Sequence, residues 1–302
     1  MKKPAPGHRR KSPGLPEISV APGKGDDLKD PATLLVEIER WEKQFFRTGW
    51  GPGIVNTVFS PIDWIVSKVL PDRLLIKAAG ALKNAILGLQ KEAGRFADPQ
   101  EIVARAREAG LPVETLEDLG RVPMPYLDVL ARSFFAKNKL VSALQGAGFG
   151  SAGYATALLD YPLLFTLNLR LIRRIGSAYG FGADTAAESE FALKVFCMVS
   201  AETPPEGQSE DERMNRLIVS LVKYGVVGSE LSILTATETI EAFTKKQIRW
   251  YAKKRLLGGV PIVGMVVGGG FDYLFTQEVA VTAFMFYRKR FLAQKGVKSC
   301  SS

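Results

Sequence analysis

One local pattern recurs along this chain and limits what it can become. An oxygen-bearing side chain stands at a break, proline or a carboxylate follows within a turn, and an apolar run begins. "SPIDWIVSKVLP" places Ser60 as an N-cap, Pro61 at the first helical position, Asp63 in the first turn and Pro71 as a stop. "DPQEIVARAREAG" does the same with Asp98, Pro99 and a closing Gly110. Thr185–Glu188, Ser209–Glu212 and Thr235–Glu238 fit the capping box, in which a hydroxyl accepts from one orphan amide and the carboxylate reaches back for another. The period-2 alternation of a half-buried strand is rare. These signals predict an all-α protein of roughly nine to eleven helices.

Composition narrows the chemistry. The single histidine, His8, lies in a proline- and glycine-rich basic stretch, which counts against Ser-His-Asp or Cys-His catalysis and against most zinc sites. Cys197 and Cys300 offer no disulfide framework, which points to a reducing compartment. The formal charge of +9 and pI near 9.5 favour polyanionic partners. Residues 1–31 read as a disordered basic tail without the apolar core of a secretory signal, residues 32–295 as one helical domain, and 296–302 as a flexible end whose Cys300 does not form a prenylation box. The expected location is the cytoplasm.

"GAGFGSAGYATALLDYP", from Gly146 to Pro162, contains a literal G-x-G-x-x-G. A dinucleotide site needs a strand before those glycines and an acid about 20 residues after them. Here Lys137–Gln145 is helical in composition, and Arg173 and Arg174 stand where the acid should be. The small residues instead suit close helix packing, with Gly146, Gly150, Gly153 and Ala157 as the contact candidates. A second stretch, "GGVPIVGMVVGGGFDY", repeats the device with Gly264 and Gly268. The fold is thus expected to hold two Gly-rich apolar helical segments.

Neither stretch reaches the roughly 20 apolar residues of a spanning helix, because Asp160 and Asp272 interrupt them. Lys253-Lys254-Arg255 and Arg288-Lys289-Arg290 flank the second; Lys137, Lys139, Arg170, Arg173 and Arg174 flank the first. Positive residues at both ends of each fit a hairpin entering lipid partway, or core helices with charged ends in water. Asp160 ahead of Pro162 reads as the N-cap of a new helix, and Asp272 as a further cap candidate that either pairs with a nearby Lys or Arg or sits at a second kink.

"TIEAFTKKQIRWYAKKRLLGG" interleaves cations with aromatics. Lys245, Lys246, Arg249, Trp250, Tyr251, Lys253, Lys254 and Arg255, together with Arg288 and Arg290, are the membrane- or partner-contact candidates. The competing interpretation is a solvated face over an aromatic underside in the core. No nucleic-acid motif accompanies these cations.

An early Trp41-x-Lys43 helix, then "GAGFGSAG…LLDYPLLFTLNLRLIRRIGSAYGF", then "VPIVGMVVGGGFDYLF…AFMFYRKRFL" occur in an order that resembles the EcsC family of bacterial proteins. The resemblance covers roughly residues 35–292 and rests on Asp160, Pro162, Tyr179-Gly180, Pro261, Gly264, Gly268 and Tyr287-Arg288. It implies a gene neighbourhood with an ABC-type ATPase and its membrane subunit, linked to protein secretion. It supplies no catalytic residue and no cofactor. Family members often carry Asn at the place of Asp272, and the tail before Pro31 lies outside the family pattern. The function expected is a non-enzymatic helical protein held peripherally at the inner face of the cell membrane, with an anionic lipid surface and a transporter subunit as partners and no nucleic acid. A soluble helical adaptor docking on a protein is the alternative. A lipid-acting enzyme using Asp160 and Asp272 as acid and base is a minor one.

Overall fold

The computed structural model describes residues 30–48, 72–91, 98–136, 154–182, 185–200, 244–245, 247–249, 251–252 and 270–297. Those residues form helices and turns with no strand among them, as the capping pattern predicts. In chain order the helices are α1 (Pro31–Thr48), α2 (Asp72–Lys91), α3 (Pro99–Glu108), α4 (Leu116–Leu119), α5 (Met124–Ala136), α6 (Tyr154–Ala178), α7 (Ala186–Val199) and α8 (Gly270–Gln294). The helical residues 244–245, 247–249 and 251–252 also pack on α6.

Local chemistry explains several of the boundaries. Asp98 accepts a hydrogen bond from the Gln100 amide at 2.9 Å and Pro99 opens α3, as expected. Past its end, Gly110 takes a φ of +82°, and the Gly110 and Leu111 amides reach back to the Arg107 and Ala106 carbonyls. Thr185 caps α7 by accepting from the Glu188 amide at 3.1 Å. The return half of that predicted capping box is not made, because the Glu188 carboxylate turns inward to other partners. The same grammar at Thr115–Asp118 passes unnoticed in the sequence. There the Asp118 carboxylate accepts from the Glu114 and Thr115 amides, which hold it below the usual carboxylate range.

Asp160 is not the cap the sequence suggests. It lies inside α6, which begins at Tyr154 and runs through Pro162 to Ala178. A proline in a helix interior removes one backbone hydrogen bond and crowds the preceding turn. α6 continues because it is the central strut: α2, α3, α4, α5, α7 and α8 all pack against it. Burial of Tyr161, Leu164, Phe165, Leu169, Ile172 and Ile175, at about 1.5–3 kcal/mol for each large apolar side chain, outweighs the local cost of Pro162. Asp272 likewise falls within α8 rather than ahead of it, and its side chain is outside the described residues. Gly146, Gly150, Gly153, Gly264 and Gly268, the capping segments at Ser60, Ser209 and Thr235, and the tail before Asp30 are also outside them. Ala157 is described only by its helical backbone.

α8 is the second strut and packs on α6, α7, α5 and α1. Its residues from Val279 to Arg288 are buried on every side, the mark of a helix with no solvent face. α6 and α8 approach closely where Gly176 meets Tyr287; a methyl group at Gly176 would overlap the Tyr287 ring. α1 lays Trp41 against Phe286 at 6.2 Å between ring centroids, and Leu34, Leu35, Ile38 and Phe45 complete its buried face. Trp41 and Phe45 are thus core residues.

Two glycines with positive φ separate backbone strain from steric overlap. At Gly110 a Cβ meets nothing within 4 Å, whereas at Gly180 (φ +83°) it would lie 2.9 Å from the Gly120 amide nitrogen. Gly110→Ala is expected to cost about 1–2 kcal/mol, the left-handed penalty alone, and Gly180→Ala clearly more. Urea unfolding of both variants beside the wild type measures the difference.

Candidate functional site

The most concentrated polar chemistry lies inside the bundle, around the consecutive cations Arg288, Lys289 and Arg290 of α8. Successive helical side chains point about 100° apart, so three neighbours face three different elements. Arg288 turns to α5, where its Nε lies 3.2 Å from Oδ2 of Asp128; their side chains are 0% and 2% exposed. Lys289 turns to α1 and donates to Oε2 of Glu42 at 2.6 Å. Arg290 turns to α7 and meets Oε1 of Glu188 at 2.5 Å. One turn of α8 therefore binds three other helices by charge.

Two phenols join the same carboxylates. Tyr179 donates to Oδ1 of Asp128 at 2.6 Å, and Tyr287 donates to Oε2 of Glu188 at 3.1 Å. Burial and the adjacent carboxylate push both phenols well above their usual pKa, so they act as donors at neutral pH. Burial raises Asp128 while Arg288 and the Tyr179 bond pull it back. Glu42 is likewise raised by burial against the pull of Lys289. Aromatic faces cover the guanidiniums: Arg290 sits 4.2 Å from the Phe181 centroid, and Arg288 and Arg132 lie over Phe284. Arg173 is buried on α6 in the same interior.

This placement overturns part of the sequence reading. Arg288 and Arg290 do not face a membrane or partner; they are core residues closing ion pairs. Arg173 is interior and Arg174 is paired with Glu101, so these flanking cations do not form an exposed basic collar. Nothing local distinguishes a buried arginine from an exposed one, since the partners come from elsewhere in the chain. The available signal was charge set inside otherwise apolar runs, at Asp128 in "YLDVLARSFF" and at Arg288-Lys289-Arg290 in "AFMFYRKRFL".

Glu278 differs from its neighbours on α8. It is buried, its Oε1 has no hydrogen-bond partner among the described residues, and burial raises its carboxyl to about 7. Among the described residues, no group of three or more His, Cys, Asp or Glu could hold a metal.

The 244–252 stretch divides cleanly. Thr244, Gln247, Ile248, Tyr251 and Ala252 are buried, whereas Lys245 and Arg249 are exposed. Tyr251 is therefore not a surface residue: it stacks on Tyr161 at 4.3 Å, and Tyr161 also donates to Oε1 of Gln247 at 2.9 Å. The aromatic underside in the core is realised here. Lys245 and Arg249 line a shallow cleft with Asp72, Leu75 and Ile76 of α2 and with Ile248. Lys246, Trp250, Lys253, Lys254 and Arg255 lie outside the described residues. No described helix is long and apolar enough to cross a membrane.

Four of the residues on which the family resemblance rests, Tyr179, Gly180, Tyr287 and Arg288, meet in this interior. Tyr179 and Arg288 share Asp128, Gly180 makes the tight turn after α6, and Tyr287 packs on Gly176. The sequence matches the EcsC protein family over residues 32–292. The chain belongs to the EcsC family. It is similar to protein EcsC of Bacillus subtilis (strain 168), with 25% identity over 278 residues covering 88% of this chain and 98% of that protein. It is also similar to the uncharacterized protein YdbA of the same strain, with 23% identity over 267 residues covering 86% of this chain and 92% of YdbA. No solved structure matches.

Two measurements test this electrostatic interior of the EcsC fold. Asp128→Asn leaves Arg288 buried without its counter-charge and is expected to cost about 3–5 kcal/mol, whereas Glu101→Gln at the half-exposed Arg174 pair should cost under about 1 kcal/mol. Urea denaturation reports both. Glu278 binds its proton more tightly when folded, so its contribution to stability is present below about pH 4.5 and is lost as pH rises through about 7. The loss amounts to about 3 kcal/mol. Glu278→Gln should flatten the stability profile across that window and unfold at higher urea than wild type above pH 7.

Proposed function

We propose that this EcsC-family protein is a non-enzymatic helical protein that binds peripherally to the anionic inner face of the cell membrane, with a transporter subunit as the protein partner implied by the family resemblance. The observation that carries it is the division of the 244–252 stretch. Its apolar and aromatic side is locked into the bundle through Tyr161, while Lys245 and Arg249 stand in solvent. Neither cation makes an ion pair among the described residues, in contrast to the interior arginines. A cation held by a rigid helix contributes about 1 kcal/mol near an anionic surface and less as salt rises. The charge of +9 works in the same direction over longer range.

Flotation of the full chain with vesicles tests this. The protein should rise with vesicles containing phosphatidylglycerol at low salt, remain behind with pure phosphatidylcholine, and be released as salt increases. Lys245→Glu/Arg249→Glu should weaken binding by at least about tenfold. A folded wild type that ignores anionic vesicles at low salt removes the proposal and leaves docking on a protein partner in its place.

A further inference from the structure

The cleft beside Lys245 and Arg249 has a second wall that the basic stretch alone does not reveal. α2 buries Ala78, Ala79 and Leu82 and presents Arg73, Ile76, Lys77 and Gly80 to solvent at the spacing of one helix face. Ile76 is 67% exposed, the highest among the exposed large hydrophobic side chains of the described residues. It lines the same cleft as Lys245 and Arg249. An apolar side chain standing between cations from two helices matches the layering of a bilayer surface, in which anionic headgroups lie above acyl chains. Asp72 is the acidic residue at the cleft, and it lies at the start of α2, where a carboxylate also complements the helix dipole.

We infer that the α2 strip Arg73, Ile76 and Lys77 forms, with Lys245 and Arg249, a two-helix platform for an anionic phospholipid bilayer, with Ile76 as the side chain that enters the headgroup–acyl boundary. This inference rests on the proposed peripheral membrane role and adds the α2 half of the surface. The bilayer is favoured over a free phosphate-bearing molecule because the cations lie on two exposed helix faces around an exposed isoleucine, not in a closed polar pocket. Charge on α2 captures the surface, and Ile76 supplies the apolar contact that salt does not screen.

The test uses the full chain and vesicles of phosphatidylcholine and phosphatidylglycerol in equal parts at low salt. Arg73→Glu/Lys77→Glu is expected to weaken binding by at least about tenfold, as Lys245→Glu/Arg249→Glu does. Ile76→Ser should weaken it several-fold, and Ile76→Trp should strengthen it, because an indole favours the interface. The Ile76 position is open to solvent, so both substitutions should leave the circular dichroism and unfolding midpoint unchanged. If wild type binds and Lys245→Glu/Arg249→Glu abolishes it while the α2 variants bind as wild type does, the α2 inference is wrong and the membrane role stands. If wild type does not bind these vesicles, both fall together.

Discussion

The three consecutive cations of α8 hold this bundle in one arrangement. Charge pairing between helices is strict about geometry in a way that apolar contact is not. A leucine packs acceptably against many neighbours, but a buried guanidinium without its carboxylate costs several kcal/mol. Arg288, Lys289 and Arg290 each demand a different helix, at α5, α1 and α7. Sliding or rotating α8 by one residue would break all three pairs. The pairs need not add much net stability, since desolvation offsets most of their attraction. Their effect is to make alternative packings of α1, α5 and α7 around α8 unfavourable.

Close approach of α6 and α8 completes that constraint. Gly176 admits the Tyr287 ring, and the Tyr287 hydroxyl then reaches Glu188, which Arg290 also holds. The missing side chain at one position thus allows a hydrogen bond on the next helix. Tyr179 makes the corresponding link from the end of α6 to Asp128 and Arg288. With these charges paired inside, the cations left in solvent acquire a separate meaning. Lys245 and Arg249 sit on a helical stretch anchored by Tyr161, and α2 is anchored on the same α6. Both surface elements therefore rest on the same strut, α6.

Much of the fold was legible from local chemistry. Asp98-Pro99 and Gly110 mark both ends of α3, and Thr185 marks the start of α7, because caps satisfy backbone groups within a few residues of themselves. The same rules failed at Asp160-Pro162, where long-range burial of α6 overrides a local stop. Of the contact candidates among the described residues, Lys245 and Arg249 lie exposed. Arg288, Arg290 and Tyr251 carry the same composition signal and lie in the core, since their partners Asp128, Glu188 and Tyr161 are distant in sequence. Ile76 passed unnoticed because an isolated isoleucine in an amphipathic helix reads as core.

The sequence by itself determined that this chain is helical and where several of its helices begin and end; both depend on residue type or near-neighbour contacts. Only the tertiary structure decided which cations are structural and which are free to meet another surface. Charge is a property of the residue, but burial and pairing depend on which helices the chain brings together.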